Sequence, residues 1–98
     1  MIDLNLIMLP PGEIKKTIGR NAKVRRKQMG LTQRDLALQS GMSLSSYRRF
    51  EQTGDISMDS FVPVCIVLDS VDELKSVFLR KHYSSIQEVI EDEKRRKR

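Results

Sequence analysis

The 98-residue sequence has a single cysteine, no tryptophan and no long apolar run. One cysteine excludes an intramolecular disulfide, so nothing indicates an oxidising compartment. The longest strongly apolar run, residues 61–68, is far shorter than the ~20 residues that a membrane span needs. The first residues contain neither a basic segment nor a small-residue cleavage site, so no signal peptide is expected. These absences predict a small single-domain protein in the cytoplasm, with no membrane partner.

The sequence also lacks the motifs that bind nucleotides, metals or reacting substrates. It contains no phosphate-binding loop, no paired catalytic carboxylates and no glycine-rich nucleotide motif. His82 has no neighbouring side chain at metal-ligand spacing, so an exposed loop histidine is expected. Cys65 lies in the apolar run and is expected to pack in the core rather than act as a nucleophile. We therefore predict that the protein is not an enzyme and has no cofactor and no metal site.

The charged residues are unevenly distributed along the chain. The formal net charge is +5, and residues 94–98, all basic, account for the whole excess. Residues 15–49 contain ten Lys or Arg and one acid, whereas residues 50–93 contain three basic and ten acidic side chains. One half of the body should therefore carry a positive field on which a phosphate backbone can dock, and the other a negative field that repels it.

Serine and threonine caps divide the sequence into short helical segments. The predicted helices span residues 13–28, 33–40, 44–51 and 58–68, with a fifth that starts after Ser70 and a short sixth that starts after Ser85. Three positions after the last two caps, Glu73 and Glu88 complete predicted capping boxes. The fifth helix should bury one face, made of Val71, Leu74, Val77 and Phe78. The pattern predicts an all-α fold, a compact bundle of five to six helices.

The two ends of the chain are predicted to be distinct from this helical body. Residues 1–12 form an apolar arm, residues 13–79 the helical domain, and residues 80–98 a short helix with a basic tail. The first nine residues are expected either to dock, on the body or on a dimer partner, or to fray. The charged segment 91–98 is expected to fray as well.

Residues 32–51 have the spacing of a helix-turn-helix, with a cap, a short helix, a glycine turn, a second cap and a second helix. On a helical wheel that starts at Leu44, Ser45, Arg48 and Arg49 fall within about 140° of it, and Tyr47 and Phe50 lie at about 300° and 240°. The predicted outward face therefore contains Leu44, Ser45, Arg48 and Arg49. Arginine can bond bidentately to guanine or to phosphate, serine reaches either, and leucine can contact a thymine methyl.

A capped helix, a glycine and a second capped helix also occur in bundles that never contact DNA. Likewise, the first predicted helix has a basic face that is compatible with simple solvation, made of Lys15, Lys16, Arg20, Lys23 and Lys27. The charge segregation together with the two outward arginines favours DNA binding over these alternatives.

The sequence is similar to the Cro/C1-type (XRE) helix-turn-helix family over residues 18–78. The matching segments are Ile18-Gly19, Arg26, Gly30-Leu31-Thr32-Gln33, Asp35-Leu36-Ala37, Gly41, Ser43, Arg49-Phe50-Glu51 and Ile56-Ser57. The resemblance implies that Gln33 contacts the DNA backbone, that residues at the Leu44, Ser45 and Arg49 positions read bases, and that Ser46 and Arg48 lie beside them. It also implies a structural pair between Arg26 and Glu51. The full predicted DNA-binding set is Gln33, Ser43, Leu44, Ser45, Ser46, Arg48, Arg49, Lys23 and Arg34.

Two further segments, 48–57 and 83–90 with its basic end, resemble HipB-like antitoxins. This resemblance implies a dimer that binds operator DNA, represses its own operon and binds a HipA-like kinase toxin. The alternatives are a protein-interaction module that holds a protein partner, and a phage or standalone repressor without a toxin. The antitoxin and the standalone repressor would both bind double-stranded operator DNA and associate with the nucleoid. The interaction module would not.

The fourth predicted helix is apolar nearly all round, so its second face must be buried by something. A second copy of the chain is the economical partner, with Val62, Ile66 and Val67 at the dimer interface, because two-fold dimers match paired half-sites on DNA. The alternative is that residues 1–9 fold over this face. Pro63 lies inside this helix and is expected to kink it or delay its start.

Overall fold

A computed structural model of the chain describes residues 10–79 and 86–96. These ranges contain six helices: α1 (Pro11–Gln28), α2 (Gln33–Ser40), α3 (Leu44–Thr53), α4 (Met58–Val67), α5 (Val71–Lys75) and α6 (Ile86–Arg96). The described ranges contain no strand, which confirms the all-α prediction. The predictions for residues 1–9, for His82 and for the cap at Ser85 lie outside the described residues.

Helices α2 and α3 begin at the caps that the sequence predicts. The Thr32 hydroxyl accepts from the Asp35 amide at 3.0 Å, and the Asp35 carboxylate accepts from the Thr32 amide at 3.0 Å, so the capping box is complete. The Ser43 hydroxyl accepts from the Ser46 amide at 3.1 Å and starts α3. Each cap satisfies an amide that has no partner within the helix, which is why the sequence alone defines these two helix starts.

The core is small and is built mainly from α2, α3 and α4. Its fully buried side chains are Leu36, Tyr47, Phe50 and Val64. The rings of Tyr47 and Phe50 meet edge to face with centroids 6.0 Å apart, and Phe50 meets Phe61 in the same way at 5.9 Å. These contacts anchor one side of α3 and leave its other side exposed.

Helix α1 crosses the end of α3 at very close range. A Cβ added to Gly19 would lie 2.5 Å from the Phe50 carbonyl oxygen, and one added to Gly54 would lie 2.1 Å from the Lys15 carbonyl oxygen. Gly54 also has a backbone φ of +79°, a conformation that residues other than glycine rarely adopt. Glycine at these positions therefore sets how closely α1 and α3 approach each other.

Gly19→Ala is expected to lower the free energy of unfolding by about 1–3 kcal/mol, because backbone atoms must move apart to admit the methyl group. Thermal unfolding followed by circular dichroism measures this change. Gly12→Ala is the matched control, since a Cβ on Gly12 meets nothing within 4 Å. An equally stable Gly19→Ala protein would contradict the close crossing.

Two predictions about helix boundaries are wrong, and the structure excludes one of the two alternatives for Pro63. The helix α1 begins at Pro11, not residue 13, because proline is favoured in a first turn. The helix α4 begins directly at its Ser57 cap, whose hydroxyl accepts from the Ser60 amide at 3.2 Å, so Pro63 does not delay the start. The tail predicted to fray is helical in α6 as far as Arg96.

The fifth helix also differs from its prediction. Ser70 makes no side-chain cap, because its hydroxyl donates instead to the Leu68 carbonyl at 3.2 Å and its backbone is not extended. The helix ends at Lys75, so Val77 and Phe78 lie beyond it and do not form the predicted buried face. Phe78 has a positive φ and is 98% exposed.

No helix in the described ranges is long and apolar enough to cross a membrane.

Candidate nucleic-acid interface

The turn between α2 and α3 fixes the geometry of the candidate interface. Gly41 ends α2 in the left-handed conformation, with φ 77°, and the Met42 amide donates to the Ala37 carbonyl at 2.9 Å. Below the turn, α2 and α3 pack together through Leu36, Ala37 and Tyr47, all in the core. Helix α3 is therefore held with one side against the core and the other side facing solvent.

The outward side of α3 presents Ser45, Ser46, Arg48 and Arg49, all exposed. The expectation of an exposed Leu44 is wrong in part, because Leu44 is half-buried and packs against the core. Side chains in a helix lean toward its N-terminus, so this first residue of α3 leans over the preceding turn. Among the other predicted contacts, Lys23 and Arg34 are exposed on α1 and α2. The Ser43 hydroxyl is occupied as the cap of α3.

Behind this face lies a buried ion pair between Arg26 and Glu51. These are the two residues for which the resemblance to the Cro/C1-type family implies a structural pair. Arg26 Nε donates to Glu51 Oε2 at 2.7 Å and Arg26 Nη2 donates to Oε1 at 3.2 Å. Both residues are 6% exposed. The pair joins α1 to the end of α3, and Arg26 also donates to the Leu31 carbonyl at 2.9 Å.

Four donated hydrogen bonds satisfy the Glu51 carboxylate. Two come from Arg26, one from the Tyr47 hydroxyl, and one from Gln33 Nε2 to Oε1 at 3.0 Å. Burial by itself raises the pKa of Glu51, but the bonds from Arg26, Tyr47 and Gln33 outweigh it and hold that pKa below its ordinary value. The hydrogen bond to Glu51 raises the pKa of Arg26 in turn, against the opposing effect of burial. Glu51 is therefore ionised at neutral pH.

Sequence reasoning placed Tyr47 away from the outward face of α3 and missed its bond to Glu51. The two residues are four positions apart on one helix, a spacing at which side chains meet, so the signal was present in the sequence.

Sequence reasoning also missed Asp55, which lies in the turn after α3. Its carboxylate accepts from Arg49 Nη2 at 3.2 Å and from the Lys15 ammonium. The bond from Lys15, and secondly that from Arg49, hold the pKa of Asp55 below its ordinary value. In the absence of DNA, Arg49 is therefore bonded to an acidic side chain. To contact a base, Arg49 must either break this bond or keep it with one nitrogen while another nitrogen bonds to the base.

A polar pocket of about 340 Å³ adjoins Arg49 between the starts of α3 and α4. It is lined by Met42, Ser46, Arg49, Asp55, Ile56, Ser57 and Ser60. Three hydroxyls and a guanidinium suit a phosphate oxygen, whereas the Asp55 carboxylate opposes one.

Comparison with known families agrees with this geometry. A helix-turn-helix family model matches residues 23–73, just over half of the chain. The chain belongs to the Cro/C1-type helix-turn-helix family. The match covers the last part of α1 and all of α2, α3 and α4. The α2–turn–α3 unit described above therefore lies within the region that defines the family. Family membership makes the protein a DNA-binding transcription regulator. A search of curated protein sequences found no match.

In the described ranges, no group of three or more His, Cys, Asp or Glu side chains is arranged to hold a metal ion. Cys65 is buried, and burial, with a smaller effect of Glu73, raises the pKa of its thiol. A thiol held in this form is a poor nucleophile.

Proposed function

We propose that the protein is a sequence-specific repressor that binds operator DNA as a dimer. The observation that carries this proposal is the outward side of α3, where Ser45, Arg48 and Arg49 are exposed while Tyr47 and Phe50 are fully buried. Such a helix can enter a major groove with donors directed at base edges and without disturbing the core.

The basic charges around this face supply the less specific part of binding. Five are already paired with acids: Lys15 and Arg49 with Asp55, Lys16 with Glu13, Arg25 with Glu73, and Arg26 with Glu51. Arg20, Lys23, Lys27 and Arg34, which lie outside α3, form no ion pair with the residues that the structure describes. We infer that these unpaired cations, rather than all ten in the basic half, attract the phosphate backbone.

Arg49→Ala is expected to weaken binding to a duplex selected by the protein by about 1–3 kcal/mol and to relax the preference at one base pair. Fluorescence anisotropy with the selected duplex and its single-base variants measures both. Lys27→Ala is the control and should only lower the salt dependence, because Lys27 lies outside the outward face of α3. Equal effects of the two variants on every sequence would contradict base reading by Arg49.

The dimer in this proposal forms through one side of α4. Met58, Val62 and Ile66 recur every four residues and are 65%, 39% and 61% exposed. Val67, which the sequence also assigns to the interface, is half-buried and packs against the core, because it lies only about 60° from the buried Val64 on the helix. The proposed interface is therefore Met58, Val62 and Ile66, with Val67 at its edge.

A second candidate function, as an antitoxin that holds a HipA-like kinase, is favoured by the surface after α4. Val77, Phe78 and Leu79 are exposed in succession, and the exposed acids Asp72 and Glu73 precede Val77 by four or five positions. Consecutive exposed apolar side chains with acidic neighbours are typical of protein-binding surfaces. This function is compatible with operator binding.

Deletion of residues 80–98 is expected to abolish neutralisation of the kinase in a growth assay while operator binding survives. The triple variant Val77→Ser, Phe78→Ser, Leu79→Ser tests the apolar surface itself and should weaken capture of the kinase. A deletion that spares both functions would contradict the antitoxin assignment.

A further inference from the structure

A chain of hydrogen bonds runs from the buried ion pair to the exposed guanidinium of Arg48. Gln33, the first residue of α2, is half-buried between them. Its Nε2 donates to Glu51 Oε1 at 3.0 Å, and its Oε1 accepts from Arg48 Nε at 3.2 Å. One amide group therefore connects the protein interior to the outward side of α3.

The direction of the Gln33 amide follows from its two neighbours. A carboxylate only accepts hydrogen bonds and a guanidinium only donates them. The opposite orientation would place Gln33 Oε1 against the Glu51 carboxylate and its amino group against Arg48, so both bonds would be lost. Glu51 cannot rotate away, because Arg26 and Tyr47 also bond to it. Only one orientation of the Gln33 amide satisfies this network.

The hydrogen bond that Arg48 donates to Gln33 leaves the end of the Arg48 guanidinium free. It engages Nε, while no bond within the described residues engages the two terminal nitrogens of Arg48. With these two nitrogens an arginine can donate a pair of hydrogen bonds to O6 and N7 of guanine. Because the bond at Nε already restrains the Arg48 side chain, this side chain loses less conformational entropy when it binds DNA.

We propose that Gln33 is a positioning residue that aims Arg48 at one base pair, and that Glu51 sets the direction of Gln33 from inside the fold. The proposal rests on the proposed function of sequence-specific DNA binding. It differs from the role that the family resemblance implies for Gln33, which is a contact to the DNA backbone. A backbone contact alone acts on all sequences equally, whereas a positioning residue changes which base is preferred.

A first experiment uses the protein without DNA. The Arg48 Nε–H resonance in nuclear magnetic resonance spectra should be resolved and slow to exchange in the wild type, and exposed Arg34 gives the reference for a free guanidinium. Gln33→Met should move the Arg48 signal to the Arg34 position, and Glu51→Gln should perturb it from a distance. Gln39→Met, the same change at an exposed site on α2, should leave it unchanged. An Arg48 signal that is insensitive to Gln33→Met would overturn the proposal, whatever the DNA results.

A second experiment measures base preference with duplexes selected from a random library. Gln33→Met should reduce discrimination at one base pair by about 5- to 100-fold, the same pair that Arg48→Met affects. The double variant should lose little more than Arg48→Met alone, because both act through one contact. Additive losses with an unchanged base preference would overturn the proposal and assign Gln33 to the backbone. A wild type without any base preference would instead contradict the proposed function, while the Arg48 resonance still decides whether Gln33 restrains Arg48.

Discussion

Arg26→Met is expected to lower the free energy of unfolding by about 3–5 kcal/mol at pH 7, because it leaves the Glu51 charge buried without its cation. Glu51 is 6% exposed and would keep only the bonds from Tyr47 and Gln33. The double variant Arg26→Met, Glu51→Gln should be more stable than Arg26→Met by about 1–2 kcal/mol, since it contains no buried charge. Denaturant unfolding of the three proteins provides the comparison.

The pH dependence of the same variants gives an independent test. In the wild type the pKa of Glu51 is lowered on folding, so the stability that this group contributes is present at neutral pH and is lost as the pH falls through its folded pKa. In Arg26→Met, burial dominates and the carboxyl takes up a proton more readily when folded. The stability gap between the two proteins should therefore narrow from pH 7 to about pH 4. A gap that stays constant or widens would contradict the charge argument.

Ile66→Glu is expected to convert the proposed dimer to a monomer and to weaken operator binding by roughly 100-fold or more, because binding of two linked half-sites is lost. Ile66 is 61% exposed on the same side of α4 as Met58 and Val62, so a glutamate there is tolerated by the fold of the monomer. Buried against a second copy, the new carboxylate would be desolvated without a partner. Sedimentation gives the mass, and anisotropy with a two-half-site duplex gives the affinity.

Val24→Glu is the matched control for this experiment. Val24 is 54% exposed on α1, and the change in charge and size is the same. The control should remain dimeric. If Ile66→Glu and Val24→Glu are equally dimeric, the proposed interface on α4 is wrong.

The helix-turn-helix was predictable because its signals are local. The Thr32 and Ser43 caps and the Gly41 turn act within four residues of themselves, and they define α2 and the start of α3 in the structure. The buried side of α3 also followed from its periodicity, which places Tyr47 and Phe50 inward. Leu44 departs from the wheel because it is a terminal residue, where the neighbouring turn decides exposure.

The features that the sequence did not predict depend on contacts between distant positions. Asp55 acquires its role from Lys15, 40 positions away, and from the tight crossing of α1 over the end of α3. Gln33 and Arg48 are 15 positions apart on different helices, and only the fold brings them together. Ser70 satisfies the sequence rule for a cap, yet its hydroxyl bonds backward to Leu68, because the backbone leaving α4 is not extended there.

Selection of duplex DNA from a random library tests the central claim most directly. The wild type is expected to enrich a two-fold-symmetric sequence with half-sites about 34–36 Å apart, the spacing that a dimer of this family requires. The triple variant Ser45→Ala, Arg48→Ala, Arg49→Ala should retain its fold, because all three side chains are exposed. It should enrich nothing, because these side chains supply the donors that read base edges. Enrichment of the same sequence by the triple variant would show that the outward side of α3 does not read DNA.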